Sequence, residues 1–333
     1  MRKLNKTAAC GILAAALAAG TLSGCSKAID GTKTVATVGD EKVTLGLASY
    51  MTRDQQAQTM SYYNMLMSQY GVSGSASNVW DQKGDDGKTV GESSKDSVMK
   101  TINQLYVLKA HAADYDVTIT DDEEKAIKEA AAEFIKDNDE KILKKLAVSE
   151  DDIVTYLELV TIRSKMHDPM TADVDTEVSA NEKDQTRVTI VKVSTEGTEK
   201  DDDGNTIDLT DEEKAQKKDL AQQVLDKVKA SDDVANADMD ALAKEVDDSL
   251  SATAPAFTTA GDTDDTLDEA VQDAALELKD GEVADKVIEG DDGYYVVRLD
   301  KMLDEDATEN KEKTVISERK SDLYDSTLED WVK

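Results

Sequence analysis

Histidine, cysteine and aromatic side chains are scarce in this chain. Of its 333 residues two are histidine and two are cysteine, and aromatics make up only 4%. His111 and His167 each stand alone in a helical pattern, so packed or surface roles are expected of them rather than metal ligation. No His/Cys/Asp/Glu cluster with metal-ligand spacing appears, and neither does a phosphate-binding glycine loop or a nucleophile–base pair. No cofactor and no metal is therefore expected. Basic residues are also few: 39 Lys and Arg stand against 72 Asp and Glu, a net charge of −33. A surface of that sign repels nucleic acid and excludes a DNA- or RNA-binding role. It attracts basic polypeptides and divalent cations. The hydrophobic fraction, 39%, is low for a compact globule, while the length allows two domains of about 150 residues.

The cysteines bear on the compartment. Cys10 lies inside the apolar run from Ala8 to Leu22, behind Arg2, Lys3 and Lys6. A basic start, a short apolar stretch and a cleavage site are the parts of a secretory signal peptide, too short for a spanning helix. The site, Leu22-Ser23-Gly24-Cys25, resembles the bacterial lipobox. That resemblance implies cleavage before Cys25 and a diacylglyceryl group on its sulfur. Loss of residues 1–24, with three bases and no acid, would take the charge from −33 to −36. The mature chain would keep only the alkylated Cys25, so no disulfide is expected.

Local patterns then run in order. Residues 25–33 form a polar tether. Thr34-Val-Ala-Thr-Val and Glu41-Lys-Val-Thr44 alternate around Gly39-Asp40, which predicts a hairpin. Thr44 is placed to cap a helix from Leu45 to Tyr70. The Gly/Ser/Asp-rich stretch from Gly71 to Ser97 predicts a loop, with a helix resuming at Val98. Thr120-Asp-Asp-Glu123 is a capping box for a third helix, and Ser149 caps a fourth that ends near Asp168-Pro169. A linker, Thr171 to Asp184, precedes the strand Arg187–Val193. The acidic insertion from Ser194 to Leu209 contains Asp201-Asp-Asp-Gly-Asn205, which approaches a calcium-loop pattern. Glu199 and Thr210 stand where its first Asp and its bidentate Glu belong, so a plain turn is expected. Thr210-Asp-Glu-Glu213 opens another helix. Apolar positions Leu267, Ala270, Val271, Ala274 and Leu278 keep the 3.6-residue period of a helix. Strands Lys286–Ile288 and Gly293–Leu299 follow. An acidic linker after Leu303 leads to a last helix with Tyr324, Leu328 and Trp331 on one face.

The order strand, helix, helix, strand, helix, strand, strand over residues 186–303 resembles the parvulin-type peptidyl-prolyl isomerase domain. The ending Ala274-Ala-Leu-Glu-Leu-Lys-Asp-Gly-Glu-Val283, then Gly293-Tyr-Tyr-Val-Val-Arg-Leu299, carries the likeness. Val35-Ala-Thr-Val-Gly-Asp-Glu-Lys-Val-Thr44 resembles the opening of the PrsA/SurA-type helical chaperone module. The resemblance implies an α+β architecture. Residues 34–170 would form a mostly helical module, and 186–303 a small sheet with about three helices. A helix within 308–333 would return to the first module.

Carried over residue by residue, the resemblance departs from its family at the polar positions. The family's first-strand histidine falls at Ile190 and its last-strand histidine at Tyr295. Its Gly-Gly-x-Leu-Gly before the second strand is replaced by Ala252-Thr-Ala-Pro-Ala-Phe257. Its slot-lining Met and Phe fall near Leu267, Val271 and Leu276, and its acid at Asp247 or Asp248. The expected site is thus an apolar slot of Ile190, Phe257, Leu267, Val271, Leu276 and Tyr295, with Asp247 and Asp248 as candidate acids. These six side chains also suit a plain core. The resemblance implies a lipid-anchored extracytoplasmic foldase-like chaperone with a weak or inactive isomerase site. An active isomerase is the first alternative and a ligand-binding surface lipoprotein the second. Expected partners are unfolded or newly secreted polypeptides and, through Cys25, a membrane. A homodimer is compatible with the sequence.

Overall fold

The computed structural model describes residues 29–69, 76–198, 200, 206–260 and 267–333. Expectations for residues 1–28, including the signal peptide and Cys25, lie outside them, as does most of the calcium-loop-like run 201–205. The chain divides into two compact units. One comprises Met1–Asp173 with Lys320–Lys333, the other Val174–Arg319.

The first unit opens with strands β1 (Thr34–Val38) and β2 (Glu41–Thr44), an antiparallel hairpin. Gly39 turns it with φ of +57°, a conformation that glycine adopts without steric penalty. Helix α1 (Leu45–Gln69) follows, and the Leu47 amide donates to Thr44 Oγ1 at 3.1 Å. Thr44 Oγ1 in turn donates to Asp152 in the first turn of the helix that begins at Glu150, tying two helix starts together. Helix α2 (Val90–His111) starts eight residues earlier than the loop reading allowed. Thr89 and Glu92 form a reciprocal capping box there, inside the polar stretch. Helices α3 (Asp121–Asp137), α4 (Glu140–Leu146) and α5 (Glu150–Met170) complete the set. Their core contains Val43, Leu47, Ile102, Leu105, Leu159 and Met166, and Leu328 from the C-terminal helix belongs to it.

The second unit is α+β. After α6 (Ala180–Lys183), a turn inside the expected linker, comes the long strand β3 (Gln185–Ser194). Helices α7 (Asp211–Lys229) and α8 (Met239–Lys244) lead to the short strands β4 (Ala252–Thr253) and β5 (Ala256–Thr258). Helix α9 (Glu269–Leu276), β6 (Ile288–Glu289) and β7 (Gly293–Lys301) close the sheet. Its order is β4-β3-β7-β6, with β5 also paired to β3, and all pairings are antiparallel.

Alternation along β3 and β7 sends successive side chains to opposite faces. Val188, Ile190, Tyr295, Val297 and Leu299 pack with α9. Val191, Val193, Tyr294 and Val296 pack with α7 and α8. The last helix, α10 (Glu305–Val332), follows β7 after three residues, so the acidic stretch expected as a linker lies within the helix. Asp304 caps it by accepting from the Ala307 amide at 3.0 Å. The acidic residues there fill a first helical turn, where negative charge is favoured.

Candidate functional site

The α9 face of the sheet collects all six apolar candidates. Ile190, Phe257, Leu267, Val271 and Tyr295 are buried in one cluster, and Leu276 packs against it half-buried. Phe257 and Val271 are 0% exposed. In this conformation the set is a closed apolar layer between α9 and the sheet. Asp247 and Asp248 follow α8, whose buried Met239 and Ala243 belong to the cluster on the opposite face. Asp247 Oδ1 accepts from the Ser249 amide at 2.8 Å and its hydroxyl at 2.6 Å. Those bonds, the hydroxyl first, hold its pKa below the usual carboxylate range. Asp248 is exposed.

One end of the α9 face is polar. Lys192 lies directly opposite Tyr295 in the β3–β7 ladder. The Tyr295 hydroxyl donates to Asp292 Oδ1, and the Lys192 ammonium donates to Asp292 Oδ2. Burial, followed by the Asp292 contact, raises the phenol pKa, so the ring stays neutral. Asp292 is shifted down, first by Lys192 and then by Tyr295. The ammonium also stands 6.0 Å from the Tyr295 ring centroid. Next to this group, Asp268 caps α9 by accepting from the Ala270 amide at 2.9 Å, and it accepts from the Asp291 amide at 2.7 Å. Glycine at position 290 keeps this corner closed. A Cβ there would collide with the Asp268 carboxylate and lie 2.9 Å from the Tyr295 ring.

Sequence reasoning missed Lys192, Asp268 and Asp292. Strand alternation already places Lys192 on the Ile190 face. Its pairing with Tyr295 depends on a register that only the fold supplies. Chemically the corner offers a neutral hydroxyl and an ion pair, all engaged with one another, and no nucleophile poised against a base. Among the described residues, no group of three or more His, Cys, Asp or Glu side chains is arranged to hold a metal. The two histidines lie in the first unit. His111 stacks on Trp331 with centroids 4.1 Å apart, and His167 packs at a tilt on Tyr324.

The family model described as the PPIC-type PPIASE domain matches residues 200–312. Among solved structures, the foldase protein PrsA from Lactococcus lactis is 17% identical. That likeness covers 70% of this chain and 78% of that one, with a TM-score of 0.31. The foldase protein PrsA from Streptococcus pneumoniae is 14% identical over 75% of this chain and 92% of that one, with a TM-score of 0.32. Peptidylprolyl isomerase (PrsA) from Bacillus cereus is 18% identical, with 75% and 90% covered and a TM-score of 0.32. No curated protein matches the chain. Residues 200–312, within the second unit, thus match the PPIC-type PPIASE domain, and the chain is similar to PrsA foldases at 14–18% identity.

Proposed function

We propose that the protein is a foldase-like chaperone, held outside the cytoplasm by a lipid on Cys25, that binds unfolded or newly secreted polypeptides. In this reading its parvulin-class unit isomerises proline bonds weakly or not at all. One observation carries it: at the two positions where the resemblance places histidines stand a buried Ile190 and a Tyr295 whose hydroxyl is given to Asp292.

Rotation about a peptide bond faces a barrier of about 18–20 kcal/mol, and an isomerase must favour the twisted amide with positioned polar groups. Ile190 has no donor, and the Tyr295 proton is already engaged. Removing one positioned donor in other enzymes typically costs about 10²–10³ in rate. Contact of a client with Phe257 and Val271 requires α9 to lift from the sheet, since both are fully buried. Leu267 and Leu276 would be met at the edge of that opening.

The test compares proline-peptide isomerisation by residues 26–333 with an active parvulin at equal concentration. A rate about a hundredfold or more below the control is expected. A rate within about tenfold would overturn the weak-isomerase reading and favour an active enzyme. Asp247 and Asp248 would then be the acids to substitute first.

A further inference from the structure

The sequence from Gln55 to Trp80 contains no charged side chain, although 33% of the chain is charged. Its described part is the second half of α1 together with residues 76–80, a short 3-10 turn. The residues that α1 buries, Gly46, Leu47, Ala48 and Met51, all lie in its first turns. Beyond them come Met60, Tyr62, Tyr63, Met65, Leu66 and Met67, and Tyr62 and Met65 are each 62% exposed. With the half-buried Tyr63, Leu66 and Met67 they form a run of large apolar residues, and it is such a run rather than a single exposed side chain that marks an interaction surface.

A cleft of about 210 Å³ lies at the inner end of this stretch, between α1, α2 and α5. Met51, Leu105, Tyr156 and Val160 give it an apolar lining, and Asp54 and Arg163 stand in its wall. Gln55 and Gln58 line it too. Positions 51, 55, 58, 62 and 65 are spaced by four and three residues, which places them on one stripe of the helix. The stripe that lines the cleft therefore continues outward as the exposed Tyr62 and Met65.

We infer that this stripe and the cleft at its base bind apolar segments of cationic unfolded polypeptides. The inference rests on the chaperone reading above and assigns it a contact surface in the first unit. Unbranched, polarisable Met side chains adapt to partners of different shape, and Tyr adds broad contact with one polar tip. Charge selects the occupant. With a net charge of −33, the chain draws a basic segment in more strongly than it does an anionic bilayer or a second copy of itself. The charge-free stripe lets such a segment bury apolar side chains without stranding an ion.

The experiment uses the full chain and a fluorescein-labelled, unstructured peptide in which Leu and Phe alternate with Lys. A twin peptide carries Glu in place of Lys. Binding is followed by fluorescence anisotropy for wild type, for Tyr62→Ser/Met65→Ser, and for the exposed control Ile142→Ser. Suppression of aggregation of a basic unfolded protein is measured in parallel. The double variant is expected to bind the Lys peptide at least tenfold more weakly and to lose protection, with Ile142→Ser unchanged. The Glu twin should bind at least tenfold more weakly than the Lys peptide. Equal binding by wild type and double variant overturns the site while leaving the chaperone reading intact, provided wild type still protects. Equal binding of the two peptides overturns the choice of occupant. Self-association, or sedimentation with anionic phospholipid vesicles, that the double variant abolishes would assign the stripe to a second copy or to a membrane instead. A wild type that neither binds nor protects overturns both readings.

Discussion

Single side chains in the first unit already couple pH to stability. The Glu123 carboxylate accepts from the Lys165 ammonium, closest contact 2.6 Å, and from the Thr120 amide at 2.8 Å in the α3 capping box. Lys165 lies on α5, so the contact joins two helices. The Lys165 bond first, then the Thr120 bonds, lower the Glu123 pKa to about 2, against an ordinary 4.5. A depressed carboxylate contributes stability that is complete above its unfolded pKa and is lost as pH falls through the folded one. Glu123→Gln should therefore lower the melting temperature at pH 7. It should also flatten the loss of stability between about pH 4.5 and pH 2. Melting curves at pH 7 and pH 3 check this: a difference between wild type and variant as large at pH 3 as at pH 7 contradicts the assignment.

Among the secondary-structure elements, those legible in the sequence carry a turn or cap signal beside an alternating or 3.6-residue apolar pattern. The β1–β2 hairpin, α3, α5 and α7 were all predicted from such signatures at Gly39-Asp40, Thr120, Ser149 and Thr210. The start of α2 was missed because its first two turns carry Gly91, Glu92, Ser93, Ser94 and Lys95, with no core-facing period until Val98. Helices α4, α6 and α8 are one or two turns long, too short for a period to register. The polar corner at Asp292 was illegible for another reason: its members meet through strand register and the approach of a loop at Gly290. Helix α10 carries its own prediction. Leu328 is 5% exposed in the first unit's core, with Tyr324 and Trp331 packed against that core. Truncating a buried leucine typically costs about 2–5 kcal/mol. Leu328→Ala should lower the urea midpoint by a corresponding amount. Fluorescence suits the measurement because both tryptophans, Trp80 and Trp331, lie in this unit.

For the whole molecule, charge and anchoring act together. Among the described residues no helix is long and apolar enough to cross a membrane. In the proposed mature form a surface of net −36 would be repelled by anionic headgroups, so attachment would rest on the lipid at Cys25. A single acyl chain holds a protein marginally, at about 10⁴ M⁻¹, and two or more make anchoring stable. Cys25→Ser should move the protein out of the membrane fraction in fractionated cells. Wild-type amounts remaining there would contradict the anchor.

The ladder that joins β3 to β7 has a consequence for how such a chain is assembled over generations. The backbone enters the sheet at Gln185 and leaves it at Lys301, and just beyond it the Asp304 amide donates to the Gln185 carbonyl at 2.8 Å. More than a hundred residues thus lie between two backbone positions that are hydrogen-bonded neighbours. An exchange of the segment between them would have two chain ends to join that already lie side by side, with Gln185 N also bonded to Thr308 Oγ1 and Lys183 paired with Glu312.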